Sequence, residues 1–201
     1  MASEVDICNL ALAHLGDNAT IASIDPPEGS AQAEHCARFY PVARDALLEL
    51  HDWKFATRRA ALAELDVDSW NWVYAYAQPS GVLRLLAVLP ITASPEAESQ
   101  PYDTENTGDG TPLILTNLED ATLRYTALVT DTTKFSPLFV DALAWLLASY
   151  LAGPVLKGDA GKAEAKACYA TFRAVLAQAT TSDANQRKVR PEHKPDWITG
   201  R

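Results

Sequence analysis

The sequence predicts an α+β fold that is mainly α: a bundle of about four helices, a small antiparallel β-sheet inserted between them, and an extended C-terminal tail. Three observations carry this. Residues 130–154, TDTTKFSPLFVDALAWLLASYLAGP, read as a helix with start and stop both written in and a middle that is apolar on every side. Residues 3–15, 30–50 and 159–179 repeat apolar residues at helical spacing. Residues 53–129 hold short alternating or apolar runs between turn residues, which is strand patterning. The division that follows is one domain over 1–180, with the bundle in 1–52 and 130–180 and the β-rich insertion in about 53–129, then a tail over 181–201.

The helix after Thr130 is the centre of this reading. Ser136 is a capping residue and Pro137 falls at the first helical position, where a missing N–H costs nothing. Gly153 and Pro154 supply a left-handed stop and a residue that cannot continue. Only Asp141 and Ser149 are polar between them, so the helix is expected to be buried all round. At about 16 residues and about 24 Å it is expected to be too short to span a bilayer.

The other elements follow in order. Ser3-Glu4-Val5-Asp6 resembles a capping box with Asp for the usual Glu; Val5, Cys8, Leu12 and Leu15 then recur, and Gly16 ends the helix. Asp25-Pro26-Pro27 marks a stiff extended loop. A second helix is expected from about Ser30 to Leu50, with Ala33, Cys36, Ala37, Tyr40, Ala43, Leu47 and Leu50 on one face, and a kink or break at Pro41. Ala56–Leu65 is strand or helix; periodicity does not decide. Trp70, Trp72, Tyr74 and Tyr76 alternate as a strand, Val82–Leu89 is an apolar run, and Leu113–Leu115 and Thr122–Leu128 are two more strands joined at Asn117–Asp120. Residues 92–112 are an exposed excursion with one short strand at Tyr102. The fourth helix is capped by Asp159, runs to about Ala179 and carries Cys168, Phe172, Val175 and Ala179 as its apolar stripe.

Charge and cysteine usage narrow the function classes. The chain carries a net charge of −9, and the imbalance lies in the body: residues 1–180 hold 12 Lys+Arg against 23 Asp+Glu, whereas residues 181–201 hold 5 against 3. An acidic body argues against wrapping nucleic acid. Cys8, Cys36 and Cys168 are distant and lack a pairing motif, as expected of buried thiols in a reducing cytoplasm. The N-terminal MASEVDICNL lacks the basic and apolar regions of an export signal.

No phosphate-binding glycine loop, CxxC, HExxH or G-x-S-x-G occurs, and no cofactor is expected. His14, His35, Cys36 and Cys8 are the best metal candidates, yet His35 and Cys36 diverge by about 100° on a helix, which favours a structural role. Asp66 with Asp68, or Glu119 with Asp120, are acid/base candidates of the kind glycosidases use, but they fall where loops carry acids anyway. Arg58-Arg59 reads as a solvated or ion-paired spot, and the Trp/Tyr alternation of 70–76 as sheet packing rather than a stacking platform.

Four segments in order resemble one family: ICNLALAHLGDNATIASI (7–24), RFYPVARDALLELHDWKFATRRAALA (38–63), WVYAYAQPSGVLRLLAV (72–88) and LRYTALVTDTTKFSPLFVDALAWLLASYLAGPV (123–155). Their order and spacing are similar to the tail tubular protein A, or head-to-tail adaptor, family of short-tailed bacteriophages. The resemblance covers about residues 5–180. It implies a non-enzymatic structural protein of the virion tail or neck, assembled in the host cytoplasm. Such a protein forms a ring, usually dodecameric, between the portal protein and the tail nozzle protein; DNA passes through its lumen without sequence-specific binding and no membrane is involved. A head-completion connector of a long-tailed phage and a tail-borne wall hydrolase are the alternatives.

The tail is the candidate docking segment for the portal or a neighbouring subunit. Arg187, Lys188, Arg190 and Lys194 would steer the encounter along a chain stiffened by Pro191 and Pro195, and Trp197-Ile198 would anchor it.

Overall fold

The computed structural model describes residues 2–69, 71–91 and 98–186. Four helices and seven strands follow in the order α1 (Glu4–His14), α2 (Ala31–Leu50), β1 (Thr57–Ala61), β2 (Ala63–Glu64), β3 (Tyr74–Ala77), β4 (Val82–Pro90), β5 (Tyr102–Asn106), β6 (Pro112–Thr116), β7 (Ala121–Ala127), α3 (Pro137–Leu156) and α4 (Gly158–Ala184), with a 3-10 turn at Thr132–Lys134.

α3 is the hub: α1, α2 and α4 all pack on it, α4 most extensively, whereas α1 and α2 meet each other over a smaller contact. Its Phe139, Leu143, Leu147 and Leu151 are fully buried beside Ile7 and Leu12 of α1, Leu47 of α2 and Cys168 of α4. Ser136 caps it by accepting the Phe139 N–H at 3.3 Å. It is not buried all round. Leu138, Asp141, Trp145 and Ser149 form a partly exposed stripe that continues to the exposed Leu156.

Nor does α3 stop at Gly153. Pro154 lies inside the helix, and the turn is made instead by Lys157 (φ 56°, ψ 166°) and Gly158. Gly153 has a different use. A Cβ on Gly161 of α4 would meet the Ala152 carbonyl oxygen at 2.8 Å and Gly153 Cα at 3.4 Å, so these small residues let α3 and α4 close on each other. At 20 residues α3 has the length and composition to cross a membrane, a test that a soluble core helix also passes.

The capping box of α1 is formed, with Ser3 N–H donating to Asp6 at 2.8 Å and Asp6 N–H to Ser3 Oγ at 3.1 Å. α2 is one continuous helix through Pro41 rather than two. Its buried face includes Leu48, while Leu50 is exposed. Asp159 does not cap α4. It sits in the first turn and pairs with Lys162 at 3.1 Å. α4 runs to Ala184, past the expected end at about Ala179, so the first residues assigned to the tail are helical.

The largest correction is to the fold class. Strands make up 22 % of the described residues against 46 % helix, in two antiparallel sheets rather than one small insertion in a mainly α bundle. One sheet has the order β1-β7-β4 and the other β2-β3-β6-β5. Sequence adjacency misled here: β6 and β7 look like a hairpin, but the turn at Asn117–Asp120, with Asp120 at φ 52°, sends them into different sheets. The sheets face each other across Tyr76, Val88, Ile114, Leu123 and Tyr125. The residues at alternate positions of β1 and β7 thus fall on the far side of the first sheet, where the polar features below arise.

Candidate functional site

The HDWKFA segment turns α2 into β1 and builds the most constrained corner of the molecule. His51 leaves α2 in extended conformation, and the fully buried Trp53 donates its Nε1–H to the Leu47 carbonyl at 2.8 Å. Its ring meets Phe139 edge-on at 5.0 Å, and Phe55, Phe135 and Phe139 complete an aromatic cluster. Thr57 closes the turn, its hydroxyl donating to the Trp53 carbonyl at 2.8 Å.

The last turn of α4 is fastened to this corner. Asp183 is buried; both carboxylate oxygens accept the Lys54 backbone N–H at 3.2 Å, and His51 Nε2 lies 3.3 Å from one of them. The helical stripe Cys168, Phe172, Ala179 extends to residue 183, which places a carboxylate at an otherwise apolar position. That break in the pattern was the sequence signal for the contact.

Beside the corner lies a recess of about 490 Å3 lined by Asp52, Lys54, Thr57, Arg59, Leu86, Arg124 and Gln186. β1 and β7 place Arg59 directly opposite Arg124, with Thr57 opposite Thr126 on the same face. The register shift between Leu85 and Ala87 on β4 sets Leu86 at the edge. Asp52 is engaged by Arg84, Nη1 to Oδ1 at 3.2 Å. Among the described residues neither Arg59, Arg124 nor Lys54 makes an ion pair, and the Arg124 Nε is buried without a hydrogen-bond partner. The result is a cationic hollow on an acidic protein, suited to holding an anion. Arg58 and Arg59 are both exposed, in keeping with the expected solvated spot, and Arg59 in addition faces another arginine across the sheet.

The other candidates disperse. Among the described residues no group of three or more His, Cys, Asp or Glu converges. His14 stacks on Trp145 at 3.7 Å with ring planes 8° apart, and burial holds its pKa below the usual histidine value against the opposing pull of Asp141. Cys8 and Cys36 are free thiols buried side by side; the hydrogen bond to Cys36 and burial both push the Cys8 thiol far up. Burial raises the Cys168 thiol to about 11. Tyr74 and Tyr76 stack at 6.2 Å, and Tyr76, buried between the sheets, donates its hydroxyl to Leu118 O at 2.8 Å. Trp70 falls outside the described residues. Asp66 lines a separate shallow recess with Glu64 and Ser69, and Asp120 sits in the turn between β6 and β7.

Arg187, Lys188, Arg190, Lys194, Trp197 and Ile198 all lie outside the described residues. What is placed is the root of their segment: Gln186, on the rim of the cationic recess and three residues beyond the buried Asp183. No protein-family model matches the chain, and no curated protein matches it.

Proposed function

We propose that this chain is a structural virion protein, a head-to-tail adaptor that assembles as a ring between a phage portal protein and the tail nozzle protein and surrounds the path of the DNA. The observation that carries the reading is the ordered resemblance of four segments to that family. Those segments supply residues that matter most to folding: Leu12 from the first, Trp53 from the second, Val88 from the third and Phe139 from the fourth are all fully buried. The reading is further supported by the acidic charge of the body, which would limit adhesion of passing DNA. The role in docking belongs to residues 187–201, whose root is held rigidly by Asp183.

The test is the mass of the purified full chain, alone and mixed with a phage portal protein, by native mass spectrometry. Addition of a closed ring of copies to the portal is expected. A truncation after Gln186 keeps the Asp183 contact, so the body should stay folded while ring formation weakens. Absence of any portal complex refutes the adaptor, and a truncated chain that assembles with full affinity refutes the docking segment.

A further inference from the structure

We propose that the recess between β1, β7 and the end of α4 is an oxyanion-binding site that takes a phosphoryl group, with Arg124, Arg59 and Lys54 as its ligands. This goes beyond the adaptor reading and does not rest on it.

Four observations converge. First, Arg59 and Arg124 are directly opposed across an antiparallel pair, an arrangement that repels unless something neutralises it. Second, Lys54 lines the same hollow, whose one carboxylate, Asp52, forms an ion pair with Arg84 at 3.2 Å and is outnumbered by the lining cations. Third, the Arg124 Nε is buried and unpartnered, a charged donor left without an acceptor at the hollow, which is costly unless an acceptor arrives. Fourth, the hydroxyl of Thr126, two residues along the same face and fully buried, is also unpartnered. An oxyanion in the hollow supplies acceptors to the guanidinium donors and cancels the repulsion between the arginines. Three lining cations against one carboxylate, itself paired with Arg84, leave an excess of positive charge that fits a multiply charged phosphoryl group better than a carboxylate, which one arginine satisfies. The hollow, about 490 Å3, has room for a phosphoryl group together with part of the molecule that bears it. Free phosphate compounds and a nucleic-acid backbone share this chemistry.

The experiment is calorimetric titration of the full chain with inorganic phosphate at constant ionic strength, repeated with acetate. Saturable phosphate binding is expected, weakened about tenfold or more in Arg124→Gln by loss of a charge-assisted hydrogen bond. Arg59→Gln, at an exposed position, provides the same reading should Arg124→Gln fail to fold. A third variant, Arg187→Gln with Lys188→Gln and Arg190→Gln, should bind phosphate as the parent does. No binding, equal affinity for acetate, or a loss confined to the third variant overturns the proposal. A short DNA duplex then separates the sources. Competition with phosphate that Arg59→Gln relieves identifies a nucleic-acid backbone; phosphate binding that the duplex leaves untouched identifies a small phosphoryl compound. Either result upholds the site.

Discussion

Replacing Trp53 by alanine tests where the core is centred. The indole is fully buried, meets Phe139 edge-on at 5.0 Å and donates to Leu47 O at 2.8 Å. A buried Trp removes about 150–250 Å2 from water, and truncating one costs about 3–5 kcal/mol once the cavity is included. The hydrogen bond adds to this, because the Leu47 carbonyl is left without its donor in a dry interior. Trp53→Phe separates the contributions: it keeps most of the apolar contact and should cost about 1–3 kcal/mol for the orphaned acceptor and the lost ring volume. Trp145, at the middle of α3, is the internal comparison. Its ring lies on the partly exposed stripe and stacks on His14, so Trp145→Ala should cost about 2 kcal/mol, less than the value for a wholly buried indole. The assay is urea unfolding followed by far-UV circular dichroism, with midpoints converted at a common slope. A Trp145→Ala cost equal to or above that of Trp53→Ala would refute the placement of the core at the HDWKFA corner.

Gly161→Ala should destabilise by about 1–3 kcal/mol, since its Cβ meets the Ala152 carbonyl at 2.8 Å and α3 and α4 would have to part; an unchanged thermal midpoint would contradict the close approach. Lys157→Gly should stabilise by about 1 kcal/mol because Lys157 holds φ 56°, ψ 166°, a region open essentially to glycine; a lower midpoint would contradict the strain. Burial lowers the His14 pKa, so the unfolded chain binds more protons, and stability should fall as the pH drops below the ordinary histidine value of 6.5. His14→Phe, which keeps a ring on Trp145, should flatten that part of the urea-midpoint profile, and a slope retained in the variant would assign the dependence to other groups.

How much of this was legible depended on whether the signal was local. Ser3 with Asp6, Ser30, and Ser136 with Pro137 announce helix starts because a cap is a contact between neighbours in sequence. Stops were read less well. Gly153-Pro154 satisfies every local rule for termination, yet the close packing of α4 on Ala152 and Gly153 keeps that stretch helical. The tertiary contact outweighs local preference. Strand pairing was hidden for the same reason. Nothing within Leu113–Leu115 or Thr122–Leu128 says that the two strands will not pair across their four-residue turn, β6 joining β5 and β3 while β7 joins β1 and β4. The recess illustrates the limit most plainly. Arg58-Arg59 was visible as a basic spot, but Arg124 sits inside LRYTA, where an isolated arginine reads as the wet side of a strand. Only the β1–β7 register brings Arg59 and Arg124 face to face.

The corner at residues 51–57 links the two functional readings physically. Helix ends ordinarily fray, because their last carbonyls lack partners. Here the last turn of α4 is held by a buried carboxylate on the Lys54 N–H, 129 residues away in sequence. Lys54 lines the cationic recess, and so does Gln186. Backbone that fixes Lys54 therefore also fixes the point from which residues 187–201 depart.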